Sequence, residues 1–92
     1  MPYIPQSERG QYEDAIQAIV DKLTALDENA AKGHLNYIIF SVIKRYLQVK
    51  GMRYFRAQDF IGGVLTCCQM ECYRRLLAPY EDHAKDRNGD VL

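Results

Sequence analysis

The chain has 92 residues, with 12 Lys plus Arg against 12 Asp plus Glu and 48% hydrophobic side chains. Balanced charge gives no overall field to draw in a nucleic-acid backbone or an anionic membrane, and nowhere do about 18 apolar residues run uninterrupted, as a membrane span needs. A domain this short buries only roughly 60% of its unfolded surface, so its core is thin and its apolar surplus is expected to be covered by further copies, in a homodimer or higher oligomer.

The first segment, MPYIPQSERG, has prolines at positions 2 and 5 and starts extended, with Tyr3 and Ile4 available to pin it down. It lacks the cationic region and apolar run of a secretory leader, so a soluble, cytoplasmic protein is expected. From Tyr12 a 3.6-residue period emerges: Tyr12, Ala15, Ile16, Ile19, Val20, Leu23 and Leu26 share one stripe, while Glu13, Asp14, Gln17, Asp21 and Lys22 face outward. This predicts a helix over 10–26, one face in and one face out.

Asp27–Gly33, DENAAKG, reads as a polar connection with Asp27 or Asn29 as a helix cap. The spacing predicts a second helix over 34–50. Leu35, Ile38, Ile39, Val42, Tyr46 and Val49 lie on one side and Tyr37, Phe40, Ile43 and Leu47 on the other, so this helix needs cover on more than one face. Gly51 is a natural stop. A helix, a glycine turn and a helix also outline a DNA-reading motif, but the segment that would enter the groove, AQDFIGGVL, offers Gln58 and an unhelpful Asp59 instead of basic residues.

The third helix is expected over 56–78, RAQDFIGGVLTCCQMECYRRLLA, and is apolar almost all round. Gly62 and Gly63 each cost about 1 kcal/mol relative to Ala in a helix interior, which points to close approach of another backbone, or else to a kink or break. Cys67, Cys68 and Cys72 crowd into one and a half turns, where disulfides between helical neighbours are awkward. With an odd count and neither His34 nor His83 at ligand spacing, they read as small core-fillers in a reducing compartment and not as a metal site. Pro79 then kinks the helix or opens a short charged one over 79–88, YEDHAKDRN with its flanks, closed by Asn88 and Gly89.

The opening MPYIPQ, the central LNYIIF with Tyr46, and the close YRRLLAPYED followed by NGDV resemble a family of small uncharacterised proteins of bacteria and their phages. The resemblance spans nearly the whole chain. It implies an all-helical fold and brings no established activity.

No constellation for catalysis is found: no serine stands in a nucleophile motif with histidine and acid, and no glycine-rich phosphate loop precedes a helix. Paired acids for magnesium on facing helices are missing too. The expectation is a protein that is not an enzyme and needs no cofactor and no metal.

Binding has better support. Seven tyrosines are a rich supply of flat apolar area with a polar tip, and several adjoin arginines. Arginine forks grip phosphate or carboxylate, and aromatic faces stack on bases. Arg53, Tyr73, Arg74, Arg75 and Tyr80 are therefore the candidate ligand-binding residues, for a small anionic, nucleotide-type ligand. The competing reading pairs the arginines with Glu71, Glu81 and Asp82 and gives the YRR-to-PYED segment to a protein partner. The expectation for the whole is one all-α domain over 1–92, a small bundle of three main helices plus a short charged C-terminal helix, oligomeric, with itself as its first partner and neither DNA nor membrane as another.

Overall fold

A computed structural model describes residues 2–92. The chain divides between Ala57 and Gln58 into an N-terminal unit, Tyr3–Ala57, and a C-terminal unit formed chiefly by Gln58–Leu92. The regular secondary structure of the described residues, from Gln6 to Asn88, is all helical, joined by short turns, with no strand among them.

In the N-terminal unit the proline-set extended start leads into one 3-10 turn, Gln6–Glu8, where Arg9 Nε donates to the Ile4 carbonyl at 2.9 Å. Helix α1 covers Gly10–Thr24, ending before the predicted 26, with the Leu26 amide turned back to the Leu23 carbonyl at 3.1 Å. Helix α2 covers Glu28–Lys50.

Its start differs from the predicted 34, and the reason is local. Asp27 is extended (φ −67°, ψ 164°) and its Oδ1 accepts the Ala30 amide at 2.9 Å, which satisfies one of the amides that a helix start leaves open. Glu28 in the first turn suits the helix dipole, and Ala30 and Ala31 are strong helix formers. Together they outweigh the cost of Gly33, about 1 kcal/mol.

At the other end Gly51 takes φ 101° and its amide reaches the Leu47 carbonyl at 2.8 Å. Arg56 completes the stop: Nη1 donates to the Gly51 carbonyl at 2.8 Å and also to the Lys50 carbonyl. A guanidinium on the last carbonyls of a helix meets both their open acceptors and the negative end of the dipole.

Helix α1 packs against α2. Ile19, Leu23 and Leu26 are half-buried on one side, and Ala30, Ala31, Ile38, Ser41 and Ile43 on the other. Among the described residues Leu47 is the one buried side chain, 4% exposed.

A third helical run, 54–88, carries helix α3 (Tyr54–Gln58), a π-helical segment (Asp59–Leu65), helix α4 (Thr66–Cys72), a second π-helical segment (Tyr73–Leu77) and helix α5 (Ala78–Asn88). The two helices predicted over 56–78 and 79–88 thus share one run. The backbone stays helical at the joins, with Thr66 at φ −63°, ψ −47° and Ala78 at φ −54°, ψ −39°.

Each π segment has a local cause. Gly62 and Gly63 remove the side-chain cost of rewinding the first one, and a Cβ added at either meets nothing within 4 Å. The close approach expected at these glycines is therefore not made by any described residue of their own unit. The second segment precedes Pro79, which has no amide to return to the turn before it. There the Ala78 amide reaches back five residues to the Tyr73 carbonyl. Gly89, at φ 91°, ends the run with its amide on the Lys85 carbonyl at 2.8 Å. No described helix is long and apolar enough to cross a membrane.

Candidate binding surface on the C-terminal unit

Four of the five candidate ligand residues fall in the second π segment and the start of α5. Glu71, on the last turn of α4, is the residue that organises them. Three and four residues along a helix lie on the same face, so Arg74 and Arg75 both reach its carboxylate. Arg74 Nε donates to Oε2 at 3.3 Å and Nη2 donates to Oε1, while Arg75 Nε stands 3.5 Å from Oε1. The Glu71 side chain is 18% exposed, against 65% and 61% for the two arginines. One shielded carboxylate thus holds two guanidinium groups whose side chains are otherwise mostly exposed.

Two shallow depressions flank this trio. Gln69, Met70, Glu71, Tyr73 and Arg74 line one. Arg75, Leu76, Pro79, Tyr80 and His83 line the other. Each is lined by one arginine and one tyrosine, and both Tyr73 and Tyr80 are exposed. A guanidinium and an aromatic ring lining one depression can together hold a planar anion, by charge and by stacking.

Arg53 belongs to the N-terminal unit, in the turn between α2 and α3, where its carbonyl accepts the Ala57 amide at 2.9 Å. Sequence reasoning missed His83, whose three-residue offset from Tyr80 was the available signal. It also missed Arg56, whose place shortly after a helix-stopping glycine marks a carbonyl-binding arginine.

The three cysteines are free and exposed on the isolated chain, where the sequence predicts core-fillers. A residue type that normally fills cores is thus left at the surface. Partial burial pushes the Cys68 thiol up from its ordinary value, helped by the charge of Cys72 and a hydrogen bond with it. Among the described residues no three His, Cys, Asp or Glu side chains group as metal ligands.

Compared with known families, residues 1–91 match the model of a domain of unknown function, DUF6899. The chain belongs to that family. The match runs from the first residue to the one before the last, so the capped α2, the π segments and the Glu71 trio all lie inside the family's domain. No curated protein and no solved structure matches it.

Proposed function

We propose that the protein is a non-catalytic, homo-oligomeric helical binding module. The observation that carries the reading is the near absence of a core. Leu47 alone is buried among the described residues, while Ile16, Phe40, Val42, Val49, Ile61, Val64, Leu76 and Leu77 are at least half exposed. Scattered exposed apolar residues are ordinary, but whole helical faces of them are association surfaces. Assembly would supply the burial that a chain of this length lacks.

The ligand we propose is small, anionic and nucleotide-like, held by Arg74 and Arg75 as donors to phosphate and by Tyr73 and Tyr80 as stacking faces. The geometry that supports this is the carboxylate of Glu71, which both arginines share while their side chains stay 65% and 61% exposed. The resemblance to proteins of bacteria and their phages favours a sequestering role, in which a nucleotide signal is captured and not cleaved.

A second reading takes the same trio as structural, with Glu71 answering both arginines and the surface docking another protein. Substitution of Arg75 separates the two. If Arg75→Ala leaves the assembly intact, as judged by light scattering, and abolishes binding of a nucleoside triphosphate in calorimetry, the ligand reading holds. If the wild type takes up no member of a nucleotide panel, the ligand reading fails and the docking reading replaces it.

A further inference from the structure

The proposed assembly leaves open which face joins the copies, and α2 carries a specific answer. Leu35, Ile39, Val42, Tyr46 and Val49 follow one another at spacings of four, three, four and three. That alternation keeps a stripe on one side of a helix wound at 3.5 residues per turn, which is the seam of a two-helix coiled coil. All five are exposed, from Ile39 at 39% to Val49 at 82%, although α1 already packs on α2. The stripe runs through most of a helix of 23 residues, about 35 Å long.

Charge on the flanks chooses both the occupant's direction and its identity. In a parallel pair, a residue on one flank meets the residue five further along in the other copy, which sets Arg45 beside Lys50, two like charges. An antiparallel pair avoids that contact. It also opposes the two helix dipoles and carries Asp27 and Glu28 at one copy's acidic start to the level of Lys50 and Arg53 at the other's basic end. This complementarity is between the helix and itself reversed, so the partner it fits is a second copy.

We propose that two copies of this chain pair antiparallel along α2, with Ile39 of each against Val42 of the other. Leu35 then meets Tyr46 of the second copy, and Lys32, one step before the stripe, lies against Val49 at the rim, where its ammonium reaches solvent. The proposal rests on the assembly reading above and goes further by fixing one interface and its direction.

The test uses full-length protein with Cys67, Cys68 and Cys72 replaced by serine and a single new cysteine at a rim position, Lys32→Cys in one preparation and Val49→Cys in another. Both sites are exposed in the isolated chain, so neither change disturbs its fold. Under mild oxidation an equimolar mixture is expected to form the mixed disulfide dimer, with little dimer in either preparation alone. Self-linking of each variant would overturn the direction in favour of a parallel pair. Absence of any link while light scattering still reports an oligomer would overturn the face, and a monomer before oxidation would overturn the assembly reading itself.

Val42→Glu gives an independent reading. Its site is 62% exposed in one chain, so helicity by circular dichroism is expected to persist while association weakens about tenfold or more, because the seam would bury a charge. Unchanged association would show that another partner or segment covers the stripe, and would overturn the proposal.

Discussion

Arg74 closes on Glu71 with two nitrogens, Nε on Oε2 at 3.3 Å and Nη2 on Oε1, and so turns one carboxylate into the fixed point of a cationic surface. Both arginines are mostly in solvent, where such pairs are worth about 0.2–1 kcal/mol each. Glu71→Gln is therefore expected to lower stability in urea by about 1 kcal/mol or less. It should at the same time strengthen binding of pyrophosphate in calorimetry, since the Glu71 carboxylate no longer competes with the anion for the two guanidinium groups. Weaker pyrophosphate binding in that variant would show that the orientation Glu71 imposes matters more than the charge it cancels.

Asp27 is tested through α2. Its Oδ1 holds the Ala30 amide at 2.9 Å, and loss of such a cap costs about 1 kcal/mol. Asp27→Ala should lower the urea midpoint accordingly, with Asp27→Ser recovering most of the loss. An alanine variant as stable as the wild type would mean that the first turn of α2 frays without consequence.

The stop after α2 depends on Gly51 and Arg56 together. Gly51 is at φ 101°, and a Cβ there would come within 3.3 Å of Arg56 Nη1, so Gly51→Ala meets backbone strain and crowds the capping guanidinium at once. A loss of about 1–2 kcal/mol is expected in equilibrium unfolding. Arg56→Ala should cost about 1 kcal/mol by leaving the Lys50 and Gly51 carbonyls to water. Because the two effects share one contact, the double variant should lose less than the sum.

Cys68 should titrate late. Partial burial, the charge of Cys72 and the hydrogen bond with it all raise its pKa, so at a given mildly alkaline pH a smaller fraction is thiolate, the form that reacts. Peptide mapping after a short iodoacetamide pulse should find Cys68 less modified than Cys67. The gap should close as pH rises through the shifted value, and Cys72→Ser should speed Cys68 labelling. Equal labelling of the three across the pH range would contradict this ordering.

Much of the local structure was legible because it is written in single residues. The glycines at positions 51 and 89 and the four-residue step from Glu71 to Arg75 each act through near neighbours, and each is found in the structure. The stripe from Tyr12 to Leu26 is helical as far as Thr24, but only Ile19, Leu23 and Leu26 of it are half-buried, and Tyr12, Ala15, Ile16 and Val20 are exposed. The start of α2 was less legible, since DENAAKG contains both loop-like and helix-forming residues and the Asp27 cap decides between them. The π segments could not be read at all. They depend on a one-residue shift of hydrogen-bond register around Gly62 and before Pro79, which no hydrophobic period reports. Placement of Arg53 in a different unit from Arg74 and Arg75 is likewise a matter of long-range contacts that sequence adjacency does not carry.

The central claim is that this chain completes its core with copies of itself, and native mass spectrometry of gently purified full-length protein tests it most directly. The result expected is a complex at an integer multiple of 10.6 kDa, two or more, that falls to single chains on denaturation and carries extra mass wherever a ligand is retained. A population wholly at 10.6 kDa across micromolar concentrations would contradict it, and the exposed faces of α2 and of the run 54–88 would then need a different explanation.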